Sequence, residues 1–266
     1  MDTHKRLTRE RAWLLSEKYH GVERPDFFDD LTRLSRGEPL AYLIGHVPFL
    51  DTTIFLDSRP LIPRPETEYW AKHATKEINA RAREKGGNIV VLDLCAGSGC
   101  IGVSVLRNAP KTRVDFCEID TGLHPTIAKN LRANGISPAR ARVFGGDLFE
   151  RIPRGTRYDF ILANPPYLNL AQTRRVARSV RAHEPALALW GGTGGMEYLA
   201  RILVDAPQYL GARGALYTEH EPEQCRAIHA LAKTLPYASC ETHQDQFGLV
   251  RYTRLPRAWD RGCGIL

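Results

Sequence analysis

Ile89-Val90-Val91-Leu92-Asp93-Leu94-Cys95-Ala96-Gly97-Ser98-Gly99-Cys100-Ile101-Gly102 is the stretch on which the fold turns. Its first six residues are apolar except for Asp93, the pattern of a parallel strand buried on both faces. Gly97 and Gly99 then let the backbone turn tightly and come close to a ligand. Cys100 and Ile101 start a helix at once, over residues 99–108. The spacing is not the GxGxxG that seats a pyrophosphate. An acid at the strand end would repel a pyrophosphate and favour a cation.

Outward from this segment, strand and helix alternate. Arg113 to Ile119 reads as a second strand and residues 123–134 as a helix ended by Asn134-Gly135. Ala141 to Phe144, Tyr158 to Ala163 and Gly214 to Thr218 give three more strands. Helices are expected over residues 196–210 and Pro222 to Leu235, and two last strands over Ser239 to Thr242 and Leu249 to Thr253. Seven strands with interleaved helices predict an α/β, open, doubly wound sheet, Rossmann-like in architecture. Before it, residues 1 to about 36 read as two helices broken at Gly21 and Pro25. Trp13, Leu14, Leu15, Phe27, Phe28, Leu31 and Leu34 supply their apolar spacing. Residues 38–62, with Tyr42, Ile44, Val47, Phe49, Ile54, Phe55 and Leu56, read as a β-hairpin. A helix starts near Pro65 or Glu66, where Glu66 and Glu68 complement its positive end.

In an open sheet, ligands gather at the carboxyl ends of the strands. Three successive ends here carry acids. Asp93 follows the first, and Glu118-Ile119-Asp120 closes the second, with Glu118 placed for a ribose diol and Asp120 as its rival. Asp147 follows the third, placed to accept from an adenine amino group that Leu148 covers. S-adenosylmethionine, with a sulfonium and an ammonium, is the cofactor these acids suit.

The fourth strand runs into Asn164-Pro165-Pro166-Tyr167. Each proline fixes its own φ and biases the residue before it toward extended geometry. The stiff corner aims the Asn164 amide and the Tyr167 ring into one pocket. An amide with two donors and an acceptor beside an aromatic ring suits a flat substrate nitrogen.

Composition narrows the class. The 266 residues are 43% hydrophobic, enough for a real core. No apolar run nears the ~18 residues of a membrane span. The amino-terminal stretch carries both signs of charge and no apolar h-region, so no secretory signal is expected. The six cysteines (Cys95, Cys100, Cys117, Cys225, Cys240, Cys263) lack CxxC spacing. They read as reduced residues of a cytoplasmic protein without a metal site. The net charge of +7, with Arg174, Arg175, Arg178 and Arg181 clustered, favours RNA, ribosomal or acidic-protein partners.

On these residues the chain resembles the class I S-adenosylmethionine-dependent methyltransferases. More narrowly it resembles the HemK/PrmC type that methylates the glutamine of peptide chain release factors. The resemblance is carried by Leu61 to Glu68, Val91 to Gly99, Gly146 to Glu150, Asn164 to Tyr167 and His183 to Leu189, and runs from about Arg36 to Tyr252. It implies a glutamine side chain held by Asn164 and the backbone of Pro165, with Pro166 stiffening the corner and Tyr167 lining the slot. It implies a cofactor pocket lined by Cys95, Ala96, Gly97, Ser98, Gly99, Glu118, Leu148 and Asn164, closed over by Pro65 to Thr67. The division it implies is a helical substrate-docking region over 1–37, a hairpin linker over 38–62, a methyltransferase domain over 63–256 and a tail over 257–266. The expected partner is a release factor met by a monomer.

Four departures stand out. The family usually has Gly at Cys95 and commonly Asp at Glu118. Gln246-Phe247-Gly248-Leu249-Val250-Arg251 stands where release-factor enzymes tend to show Gly-Arg-Asp-Arg. The helical region is also shorter than usual. A ribosomal-protein glutamine methyltransferase is therefore the near alternative. An N6-adenine or N4-cytosine nucleic-acid methyltransferase and an RNA-binding module on an inactive fold are the distant ones.

Overall fold

The computed structural model describes residues 3–258. Two helices open the chain, α1 (Thr3–Glu17) and α2 (Pro25–Ser35). Leu14, Tyr19, Phe27, Leu34 and Leu43 close a small core of their own around them. Trp13 and Phe28, which the sequence counts in the apolar spacing of these helices, point outward, 55% and 51% exposed. The hairpin is shorter than its composition suggests. Tyr42 and Ile44 belong to a helical turn, α3 (Leu40–Ile44), ended by Gly45 in the left-handed region. Only β1 (His46–Phe49) and β2 (Thr52–Phe55) pair, antiparallel. Pro39 at the N-cap starts that turn, and its apolar residues pack locally instead of extending.

Helix α4 (Pro65–Lys85) begins with proline at its first position, where a missing N–H costs nothing. It leads into β3 (Ile89–Leu94), α5 (Cys100–Asn108), β4 (Thr112–Glu118), α6 (His124–Ala133), β5 (Ala141–Gly145) and β6 (Tyr158–Ala163). An irregular stretch with one short helix, α7 (Arg178–His183), precedes α8 (Glu197–Asp205). Strand β7 (Leu210–Glu219), α9 (Cys225–Ala232), β8 (Glu241–Gln244) and β9 (Val250–Pro256) complete the order. The strand β7 takes up Leu210, which had read as the last residue of a helix.

The seven-stranded sheet runs β5-β4-β3-β6-β7-β9-β8. Five strands are parallel, and β9 returns antiparallel to both β7 and β8. Both faces are covered. Val91, Phe160 and Tyr217 pack with Trp70, Val103 and Ile127 of α4 to α6 on one side. Leu92, Ile161 and Leu216 pack with Leu199, Ile202 and Ile228 of α8 and α9 on the other. Chain order reverses between β3 and β6, so a crevice opens beyond their carboxyl ends. The turn after β3 and the Asn164 corner after β6 flank that crevice. Cys263 and the rest of the expected tail beyond residue 258 lie outside the described residues. Among the described residues no helix is long and apolar enough to cross a membrane.

Candidate functional site

The crevice is a cleft of about 1050 Å³, its open mouth included. Its floor is the turn Cys95 to Ser98, with Glu118, Ile119 and Asp120 beyond β4 and Gly146, Asp147 and Leu148 beyond β5. Asn164, Pro166 and Thr67 form one wall, and Leu61 to Arg64 with Pro185, Leu187 and Ala188 roof it. Ten of the residues singled out in the sequence thus face one space: Thr67, Cys95, Ala96, Gly97, Ser98, Glu118, Ile119, Asp147, Leu148 and Asn164, with Pro166 beside them.

The floor is a backbone cradle. Gly97 and Gly99 have φ of 55° and 77°, and Cys95 shares the left-handed region at 59°. A side chain on Gly97 would stand in open space. Leu148 is also left-handed, at 50°. Such a conformation costs a non-glycine residue roughly 1–2 kcal/mol. Glycine would adopt the Cys95 conformation without that cost. The Glu118 carboxylate accepts from the N–H of Gly97 (2.7 Å) and of Asp120 (2.9 Å), which locks the acid against the turn. Burial pushes its carboxyl above the ordinary range, while those two N–H groups pull it back.

Three predicted residues stand behind the cleft and not on it. Asp93 is fully buried. One carboxyl oxygen accepts the Gly102 N–H at 2.8 Å, and the other has no partner. Burial pushes its pKa up to about 8. The side chain lies on the helix-covered face of β3, so it fastens the start of α5. Gly99 packs toward Ile127 and Phe116. Pro65 starts α4, leaving its neighbours Arg64 and Thr67 to face the cleft.

The Asn164 corner has two sides. Asn164 lines the cleft, and it also lines an adjoining pocket with Pro165, Tyr167, Leu168, Val176 and Val180. Behind it lies a buried carboxylate that the sequence reading passed over. Glu219, at the end of β7, accepts from Thr67 Oγ1 (2.7 Å), Trp70 Nε1 (2.7 Å) and the Tyr167 hydroxyl (2.8 Å). Asn164 Nδ2 in turn donates to Thr67 Oγ1 at 3.2 Å. Burial pushes the Glu219 carboxyl up, and its three donors and the charge of Arg251 oppose that. The available signal was an acid closing the apolar run Ala215 to Tyr217, as acids close β3 and β4.

The roof is stitched by Glu184. It is buried, accepts the Ile62 N–H at 3.1 Å and pairs with Arg64 at 2.5 Å. His183 makes no such link, so the His-Glu-Pro segment acts through its acid. The cations near the cleft are neutralised, Arg64 by Glu184 and Arg59 by Glu38. Asp147 is held by Arg201 at 2.7 Å. Glu118 and Asp120 have no cation partner among the described residues, and both face the cleft. The lining thus keeps a negative bias beside the apolar surfaces of Ile119, Leu123 and Leu148. That combination fits a ligand with a cationic centre, two hydroxyls and a flat ring. No trio of His, Cys, Asp or Glu among the described residues is grouped to hold a metal.

The methyltransferase small domain pattern matches residues 78–188. A solved T. thermophilus 16S rRNA methyltransferase in complex with AdoMet and guanosine shares the fold, with a TM-score of 0.55 and 17% identity over 80% of this chain and 49% of that one. A release factor glutamine methyltransferase of Bordetella pertussis is 34% identical over 248 residues, 92% of this chain and 88% of its own length. A ribosomal protein uL3 glutamine methyltransferase of the same organism is 34% identical over 73% of this chain and 64% of its own. With the glycine cradle, the row of strand-end acids and the Asn164 corner assembled on one crevice, the chain belongs to the release factor glutamine methyltransferase family.

Proposed function

We propose that this protein transfers a methyl group from S-adenosylmethionine to the N5 amide nitrogen of a glutamine in a peptide chain release factor. The observation that carries the reading is the double placement of Asn164, on the cleft and on the adjoining pocket at once. A methyl donor in one and a glutamine side chain in the other would meet at this residue.

When bound, S-adenosylmethionine supplies an electrophilic methyl group on a sulfonium. Glu118 would take the ribose hydroxyls, the Cys95 to Ser98 backbone the amino-acid end, and Leu148 and Asp147 the adenine. The rest of the task falls to the acceptor side. An amide nitrogen is a poor nucleophile because its lone pair is shared with the carbonyl. Asn164 Oδ1 and the Pro165 carbonyl accept its two hydrogens. That turns the lone pair toward the cleft and raises electron density on nitrogen. Tyr167 walls the slot, and Pro166 keeps the corner stiff. Positioning of this kind can lower a barrier by ~7–11 kcal/mol in favourable cases. No strong base is required. The nitrogen becomes acidic once methylated, and its proton passes to water.

The test is incubation with labelled cofactor and a panel of release factor, ribosomal protein and DNA. Label on the glutamine of a release factor's GGQ loop supports the reading. Label on a ribosomal-protein glutamine keeps the chemistry and moves the partner, as the similarity to the uL3 enzyme allows. Label in nucleic acid alone contradicts it.

A further inference from the structure

We propose that Glu219 is the positioning residue of the acceptor site, acting through Thr67 to fix which end of the Asn164 carboxamide meets the glutamine. The inference rests on the function proposed above and deepens it.

A carboxylate can only accept hydrogen bonds. Trp70 Nε1 can only donate, and it holds Oε2 of Glu219 at 2.7 Å. Thr67 spends its single hydroxyl hydrogen on the same oxygen, also at 2.7 Å. The Tyr167 hydroxyl takes Oε1 at 2.8 Å. Thr67 Oγ1 is then left with lone pairs and nothing to donate. The Asn164 atom 3.2 Å away must therefore be the NH2 group. The opposite arrangement would set carbonyl oxygen against hydroxyl oxygen with no hydrogen between them. Which way an amide points is ordinarily settled by its neighbours. Here one buried carboxylate settles it from two bonds away. The consequence falls on the chemistry. With Nδ2 tied back, Oδ1 is the end left to accept from a substrate NH2. Glu219, Thr67 and Trp70 are all 1% exposed or less, so water cannot substitute for the links among these three.

The test compares wild type, E219L, E219Q, T67V, T67S and the double variant E219L/T67V on a glutamine peptide. E219L removes the acceptor, freeing the Thr67 hydroxyl to face Asn164 Oδ1. E219Q sets its carbonyl oxygen where Trp70 and Thr67 donate and its NH2 toward the Tyr167 hydroxyl, so it keeps the link. E219L and T67V are each expected to lower kcat about tenfold or more, the equivalent of one misdirected hydrogen bond. Affinity for S-adenosylhomocysteine should change far less. T67S should recover most of what T67V loses and E219Q most of what E219L loses, and the double variant should be no worse than E219L alone, since both break one chain. Should E219L not fold, T67V and T67S carry the comparison. Wild-type kcat in E219L, equal losses in T67S and T67V, or multiplying losses in the double variant would overturn the inference. A second readout needs no turnover: the Asn164 side-chain amide signals in NMR. They should shift in both E219L and T67V, and unmoved signals in either overturn the link. If wild type methylates no glutamine at all, the function proposed above falls. The NMR comparison still decides whether Glu219 sets the carboxamide.

Discussion

On the proposed function, Asn164 should separate binding from turnover more sharply than the other side chains of the cleft. Asn164→Ala would remove the proposed acceptor for the glutamine N–H and leave the Cys95 to Ser98 cradle intact. Turnover should fall by roughly 10²–10³ or more, by analogy with loss of one preorganised polar contact. Calorimetry with S-adenosylhomocysteine should find cofactor affinity nearly unchanged. Glu118→Gln should show the reverse. It loses a charge-assisted partner, so cofactor binding should weaken by about 1.5–3 kcal/mol, roughly tenfold to a hundredfold. The rate at saturating cofactor should hold. Cys95 makes a third case. Its φ of 59° is one glycine adopts freely. Cys95→Gly should alter stability by no more than about 1 kcal/mol, strain relief offsetting the added chain entropy. Cys95→Val should destabilise clearly in a denaturant melt, because a branched side chain resists that conformation.

At the level of elements, the Arg64–Glu184 link ties the segment before α4 to the segment after α7. Arg64→Ala leaves a buried carboxylate without its cation, at a cost of about 3 kcal/mol, the low end because the guanidinium is partly exposed. The melting temperature should drop by several degrees, and cofactor affinity should weaken as the roof loosens. Elements that announce themselves locally were legible in the sequence. Strands β3 and β6 are apolar runs broken by one acid each, α4 opens with Pro-Glu-Thr-Glu, and the alternation of strand and helix predicts a doubly wound sheet. Residues 168–195 were not legible. They form single turns and one short helix, held by long-range bonds such as Leu168 N–H to the Leu189 carbonyl and Gln224 to the Tyr167 carbonyl. Nothing in their local pattern encodes those partners. Asp93 misled for a related reason. Its place at a strand end was readable, but the face its side chain took depended on α5 packing over it.

Taken whole, the molecule couples its stability to pH most strongly through two buried groups of opposite sign. Asp93 titrates near 8 when folded because burial disfavours its charge. The folded state therefore holds a proton that the unfolded chain releases near pH 4. Its contribution is full below that point and is lost as pH rises through about 8. His220 is depressed to about 4, chiefly by burial, and bonds neutrally to Thr253 and the Glu221 carbonyl. Its contribution is present above its unfolded pKa of about 6.5 and is lost as pH falls through about 4. The two slopes oppose each other over the acidic range, leaving Asp93 to govern the fall between about 6.5 and 8. Glu118 and Glu219, also raised by burial, slope the same way, so thermal melts across that interval should show wild type losing stability more steeply than Asp93→Asn. The net charge of +7 adds a long-range term, since a basic surface steers acidic partners and salt weakens that steering.

All of these scales meet where the cleft adjoins the pocket at Asn164. The most direct measurement is a crystal structure with S-adenosylhomocysteine and a glutamine peptide both bound. The glutamine nitrogen should lie about 3 Å from Asn164 Oδ1 and from the Pro165 carbonyl, facing the cofactor sulfur. A glutamine bound away from this corner, or one met by Asn164 Nδ2, would contradict the account.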